Sequence, residues 1–219
     1  MAFAQGVKPS SSNKNYAIEV SVSMCGENEE KGFGTFGIGK GDLHFENNNI
    51  TNNKCKIFSS SFIELDGSSG TCNFSTFREN KQIDCSFYFN SEEESLIQTF
   101  SFCNVIGNKC RTGNETVLFY CESTVKVDYC IFLDNIAKCM FRQSKYGCAL
   151  TISDSYVESN STIGSGIEFN NLKGNYDFNT YTHLFKENCF KGSYIISIKI
   201  SYLSKFAKTA TPGLLSSQK

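Results

Sequence analysis

Proline occurs only twice in the 219 residues, tryptophan is absent, and histidine occurs only at His44 and His183. No stretch reaches the ~18 uninterrupted apolar residues of a membrane-spanning helix, which excludes one from this chain. Acidic and basic residues nearly cancel, at 22 against 21, for a formal net charge of −1. That balance removes the global electrostatic footprint of a nucleic-acid binder or of a protein held on an anionic membrane. The opening segment, MAFAQGVKPSSSNKN, has no long apolar core of the kind a signal peptide carries. The expected localisation is therefore cytoplasmic if the chain is complete, and cell surface or extracellular if it is a fragment of a longer protein.

Several chemical motifs are missing as well. There is no Cys-x2-Cys or Cys-x4-Cys knuckle for zinc. Gly39-Lys40-Gly41-Asp42 does not complete a phosphate-cradling loop, which needs Gly-Lys-Ser/Thr and a following helix. No Asp-Asp pair and no Gly-His-Gly is present. No cysteine has the local context of a catalytic nucleophile. No catalytic residue, cofactor-binding residue, metal ligand or cofactor is expected.

What the chain has in quantity is Phe (20), Tyr (10) and Cys (11), together with Asn and Ser. Aromatic residues favour strands. Asn and Ser favour turns. The mixture predicts many short strands joined by tight bends.

A repeat organises them. Asn53, Asn80, Asn108, Asn135, Asn160 and Asn188 follow one another at steps of 27, 28, 27, 25 and 28. Three positions before each stand Ile50, Phe77, Val105, Phe132, Val157 and Phe185, all apolar. Eight positions before stand Phe45, Cys72, Phe100, Val127, Ile152 and Thr180, of which five are apolar. Nine positions after stand Phe62, Phe89, Val117, Ser144 and Phe169, of which four are apolar. The segments between read as strands, for example Cys85-Ser86-Phe87-Tyr88-Phe89, Val117-Leu118-Phe119-Tyr120-Cys121 and Tyr194 to Ile200. Two or three strands per period leave no room for a helix of the usual ~11 residues. The Leu-rich horseshoe signature is absent, because the apolar columns hold Phe, Val, Ile and Cys.

The expected fold is all-β: a right-handed parallel β-helix, or solenoid, of about six coils at ~27 residues per coil. Its corners need a residue that tolerates the left-handed backbone region, which suits Asn. Stacked ~4.8 Å apart, the six asparagines would form a hydrogen-bonded ladder. Residues 1–15 read as a polar N-terminal tail, 16–202 as the β-helix domain with an irregular first coil or cap over 16–41, and 203–219 as a C-terminal tail.

The stretches Phe100-Ser101-Phe102-Cys103-Asn104-Val105-Ile106-Gly107-Asn108 and Val127-Asp128-Tyr129-Cys130-Ile131-Phe132-Leu133-Asp134-Asn135 share the pattern apolar-x4-[FVI]-x-x-N. Over roughly residues 41 to 200 this resembles right-handed β-helix repeat proteins with a pectate-lyase-like fold. The Cys-, Phe- and Asn-rich character is similar to the polymorphic outer-membrane-protein-like surface proteins of parasitic protists. The resemblance implies a surface or adhesin-like role.

The remaining polar residues mostly read as scaffold. Cys103 and Cys130 differ by 27, as do Cys121 and Cys148, and each pair keeps one offset from its ladder Asn. Each pair should stack on adjacent coils, within the ~4.4–6.8 Å Cα range of disulfides. Bridged pairs and buried thiols used as small apolar residues are both compatible with that spacing. Asp134, Glu79, Ser159 and Glu187, each just before a ladder Asn, should form a polar outer rim. Glu92-Glu93-Glu94 reads as a solvated loop. The two histidines fall about five coils apart, too far to share a site. The function expected is a non-enzymatic structural or binding module. Its partner is not identified by the sequence; a glycan or protein ligand on a flat solenoid face fits it. The alternative is a carbohydrate-active enzyme, a polysaccharide lyase or hydrolase, which needs paired carboxylates.

Overall fold

A computed structural model describes residues 3–6, 12–28, 30–65, 69–91, 93–111 and 116–176, all within the compact unit Met1–Leu184. Every regular element among them is a strand, and every strand pairing is parallel. The strands build four stacked sheets. Sheet 1 has seven strands, from Phe3–Gly6 to Thr162–Ile163. Sheet 2 has seven, from Lys14–Ile18 to Ile167–Asn170. Sheet 3 has six, from Ser21–Ser23 to Tyr156–Val157. Sheet 4 has three short ones, Lys54–Cys55, Lys81–Gln82 and Lys109–Cys110. The chain visits sheets 1, 2 and 3 in turn, passes through sheet 4 in three coils, and returns to sheet 1. This is a parallel β-solenoid.

The rung spacing can be read on sheet 2, where Tyr16, His44, Thr71, Thr99, Lys126 and Thr151 lie side by side at steps of 28, 27, 28, 27 and 25 residues. The next step, from Thr151 to Glu168, takes only 17. The described residues thus complete about five turns at the expected period, one fewer than the six coils read from the sequence. Asn188, Phe185, Thr180 and His183 lie outside them, as do Glu187 and the strand expected at 194–200. Phe3–Gly6 and Lys14–Ile18 are strands, although residues 1–15 read as a tail.

Two of the three apolar columns are in register. Ile50, Phe77, Val105, Phe132 and Val157 pair rung by rung in sheet 3. Phe45, Cys72, Phe100, Val127 and Ile152 do so in sheet 2, and Phe169 takes the next rung. The third column is not a column. Phe62 pairs with Tyr88, whereas Phe89 pairs with Ile63 and Cys121, and Val117 pairs with Cys85. The cause is loop length. On sheet 1 the steps Phe62–Tyr88, Tyr88–Tyr120 and Tyr120–Arg142 are 26, 32 and 22 residues, so a fixed offset drifts off the rung.

Side chains alternate inward and outward along each strand. The inward ones fill the tube with aromatic rings. Phe45, Phe77, Phe87, Phe89, Phe100, Phe119 and Phe141 are fully buried. Phe77 and Phe100 stack at 5.8 Å between ring centres, and Phe89 and Phe119 at 4.6 Å. Such burial and ring contact supply the main favourable term of the fold.

Candidate functional site

The left-handed corner residues stand one place before the repeating asparagines. Asn52, Glu79, Gly107 and Asp134 have φ of 56, 55, 62 and 54°. The expectation that the repeating Asn occupies that region is thus corrected. The asparagines act through their amides. Asn53 Nδ2 lies 3.1 Å from Asn80 Oδ1, Asn80 Nδ2 3.0 Å from Asn108 Oδ1, and Asn108 Nδ2 3.1 Å from Asn135 Oδ1. Each Nδ2 also donates to a carbonyl of the preceding coil, as Asn80 does to Ile50 O at 2.8 Å and Asn135 to Val105 O at 2.8 Å. Each Oδ1 accepts a backbone N–H as well, from Cys25 onto Asn53 and from Asn53 onto Asn80. The linked run is Asn53, Asn80, Asn108 and Asn135; Asn160 is exposed and no described bond joins it.

Cys103 and Cys130 belong to a second such column. Cys103 N–H points at Cys130 Sγ at 3.4 Å, and Cys130 N–H donates to Ser155 Oγ at 2.9 Å. Ser75 Oγ and Asn48 Oδ1 fill the same slot on earlier coils, accepting from Asn48 N and Val20 N. Cys121 and Cys148 do not stack on one rung: Cys121 pairs with Phe89 and Gln143. The short step of 22 residues from Cys121 to Gln143 puts Cys148 past the strand end, between Cys139–Gln143 and Leu150–Ser153. All ten described cysteines are free thiols, nine of them buried. Burial drives the thiols of Cys72, Cys85, Cys103 and Cys130 above their ordinary range, and that of Cys110 up to about 12.

Polar side chains gather at three places on the outside. On sheet 2, Asp42, His44 and Glu46 alternate along one strand and share its outer face. His44 Nε2 lies 3.1 Å from Asp42, Nδ1 3.4 Å from Glu46, and Tyr16 OH donates to Asp42 at 2.7 Å. That hydrogen bond holds the Asp42 carboxyl below its ordinary range. At the outer rim, Glu79, Asp134, Glu158 and Ser159 line an open depression, and Asp134 N–H donates to Glu158 at 2.6 Å. Among the described residues no group of three or more His, Cys, Asp or Glu could hold a metal ion. No described helix is long and apolar enough to cross a membrane.

The third place is the outer face of sheet 1. Phe62, Tyr88, Tyr120 and Arg142 occupy one row, rung after rung. Phe62 and Tyr88 stack at 5.4 Å with 10° between planes; Tyr88 and Tyr120 follow at 5.3 Å. The Arg142 guanidinium caps the row, 5.2 Å from the Tyr120 ring. Phe58 and Phe33 broaden it at one end. Beside it runs a polar row, Glu64, Asn90 and Glu122. Tyr88 OH donates to Glu122 Oε2 at 2.6 Å and Tyr120 OH to Oε1 at 2.5 Å, while Ser144 Oγ lies 3.3 Å from Oε1. Burial pushes the Glu122 carboxyl up, but these hydrogen bonds and the Lys145 ammonium outweigh it and hold it below its ordinary range. Burial, then the bond to Glu122, raises the Tyr88 and Tyr120 hydroxyls.

A fixed period does not reveal the aromatic row, because its steps are uneven. A signal exists nonetheless: an aromatic residue followed at the second position by Glu or Asn recurs as Phe62-Ile63-Glu64, Tyr88-Phe89-Asn90 and Tyr120-Cys121-Glu122. The Asp42-x-His44-x-Glu46 alternation is legible in the same way, since period two puts all three on one face. No protein-family model matches the chain, and no curated protein or solved structure matches it.

Proposed function

We propose that the chain is a non-enzymatic binding module that takes a glycan along the outer face of sheet 1, as the adhesive part of a surface protein. The reading rests on the in-register row Phe62, Tyr88, Tyr120 beside Glu64, Asn90 and Glu122. Small-molecule sites combine apolar and aromatic lining with a few precisely placed polar groups, and this face carries that combination. Sugars present the complementary pattern, apolar C–H faces rimmed by hydroxyls. Because each rung repeats the pair aromatic-plus-polar, an extended chain of pyranose rings lying along the axis meets the same partners at each step. The surface setting follows from the resemblance to Cys-, Phe- and Asn-rich β-helix surface proteins. Burial keeps the thiols of Cys72, Cys103, Cys121 and Cys130 protonated and slow to react, so such a chain tolerates them outside a reducing compartment.

A second reading, a polysaccharide hydrolase or lyase of the pectate-lyase-like group, draws on Glu64 and Glu122. They share a row two rungs apart, or ~9–10 Å at sheet spacing, near the ~6.5–9.5 Å between carboxyls in inverting glycosidases. Against it, both Glu122 oxygens already accept hydrogen bonds from Tyr88, Tyr120 and Ser144. A carboxylate so engaged fixes the tyrosine hydroxyls rather than activating water.

A glycan array probed with the full chain tests the proposal. Tyr88→Ala and Tyr120→Ala should each weaken binding about ten-fold, with the circular dichroism spectrum unchanged. Absence of binding to any glycan, or binding by both variants as tight as by the unaltered chain, refutes it; release of new reducing ends that stops in Glu122→Gln would establish the enzymatic reading instead.

A further inference from the structure

In register the aromatic row ends at Phe62, with the exposed Phe33 ring against its flank at 6.1 Å between ring centres. Its register partner on the preceding rung is Gly37, and beyond that Ala4. The polar row ends in the same way: Glu64 pairs with Gly39, and Gly39 with Gly6. Two adjacent rows thus meet glycines on the same rung, Gly37 buried and Gly39 half-buried. There the surface carries a depression of about 250 Å³, lined by Gln5, Gly6, Gly39, Lys40, Phe62 and Glu64.

These glycines are not required by the backbone. Gly39 and Gly6 are strand residues without a left-handed φ. A Cβ on Gly39 would meet Glu64 atoms at 3.5–3.6 Å, and one on Gly6 would meet only the Gly39 carbonyl at 3.8 Å. Both are ordinary contacts, so a Cβ would fit at either position. Gly inside a strand nonetheless costs roughly 0.5–1 kcal/mol relative to Ala. A strand glycine with room for a side chain marks a place where something else approaches the backbone.

Resting on the reading of sheet 1 as a glycan face, we propose that this depression is the anchoring subsite for the terminal pyranose of the glycan, and that this terminal sugar is uncharged. The Phe62 ring forms an apolar wall for the C–H face of the sugar. The Glu64 carboxylate accepts from two neighbouring hydroxyls, and the Gln5 carboxamide and Lys40 ammonium reach the others. One carboxylate and one ammonium line the same small space. A uronic acid or an amino sugar meets one opposite and one like charge there, so its net attraction largely cancels while its own charge is desolvated, whereas the hydroxyls of a neutral hexose donate to Glu64 and accept from Lys40.

Calorimetric titration of the full chain with cellotetraose, maltotetraose, tetragalacturonate and a glucosamine tetramer tests this. At least one neutral tetramer should bind about ten-fold or more tightly than either charged one. Gly39→Val and Gly6→Val, which fill the depression from two different strands, should each weaken that binding about ten-fold without lowering the melting temperature. Binding that falls in Tyr88→Ala but persists in whichever glycine variant remains folded overturns the subsite and leaves the face intact. Charged tetramers binding as well as neutral ones overturns it equally. Binding by none of the four at millimolar concentration, or binding indifferent to Tyr88→Ala as well, overturns the reading of the face itself.

Discussion

The Asn80 amide lies within hydrogen-bond distance of Ile50 O, Ser60 Oγ and Asn108 Oδ1 through its nitrogen, and of the Asn53 backbone and side-chain nitrogens through its oxygen. At a corner the chain leaves its ladder, and the backbone groups it frees are buried; an unpaired buried group costs about 1–3 kcal/mol. The repeating Asn supplies the missing partners, which is why one residue type recurs there. The neighbouring corner solves the same problem with Asn48, Ser75, Cys103, Cys130 and Ser155 in successive coils. Cys130 is therefore an acceptor rather than a small apolar filler. Cys130→Ser, which repeats the Ser75 and Ser155 arrangement, should change the unfolding free energy by less than about 1 kcal/mol, whereas Cys130→Val leaves the Cys103 N–H without its acceptor and should cost about 1–3 kcal/mol. Urea unfolding of the two variants side by side measures this; equal losses would show that the thiol is there only for volume.

Each strand contacts chiefly the strands one coil above and below, so a defect in one rung should be felt locally. Phe119 is fully buried and meets Phe87, Phe89 and Phe100 on the preceding coil and Phe132 and Phe141 beyond it. Phe119→Ala should cost about 3–5 kcal/mol and should raise amide exchange most in the paired strands Cys85–Ser91 and Cys139–Gln143. Uniform acceleration over all coils would mean that the tube opens only as a whole. The same element-by-element construction explains what could be read in advance. The stretch from the end of a sheet-2 strand through sheet 3 to the Asn is contiguous and has constant length, so Phe100, Val105 and Asn108 fall at the same offsets as Val127, Phe132 and Asn135. Sheet 1 follows corners whose length varies, and there the offsets failed: Val117 was placed beside Phe89, but its partner is Cys85. The candidate face lies on that sheet. Its residues were visible as strand residues, but their meeting in one row depended on loop lengths that no fixed period conveys. Asn serves both at left-handed corners and as a buried amide, so its recurrence marks the position one residue after the corners at Asn52, Glu79, Gly107 and Asp134.

Stacking coils buries thiols at many levels, Cys72, Cys103, Cys121 and Cys130 in the main core and Cys85 in a second apolar cluster with Phe58, Val117 and Cys139. Cys72, Cys85, Cys103, Cys110, Cys121 and Cys130 are all buried, and burial raises each of their pKa values, that of Cys110 to about 12. In the unfolded chain the same thiols titrate near ~8.5. Between these values the unfolded state has released protons that the folded state still holds. It then binds fewer protons than the native state, so the unfolding free energy falls as pH rises. A thiol neutral in the fold and fully ionised in the unfolded chain contributes a slope of about −1.4 kcal/mol per pH unit. Six such groups act together, and the buried fraction of Tyr88, also raised, acts in the same direction at higher pH. Stability should therefore be nearly flat up to about pH 7.5, begin to fall near pH 8, and be lost steeply by about pH 9–10, in the order the linkage requires. Urea midpoints measured across that range under reducing conditions check it, with Cys110→Val reducing the slope. A midpoint that stays level to about pH 11 would mean that these thiols ionise as readily inside the tube as outside it, which a dry, aromatic-filled core does not permit.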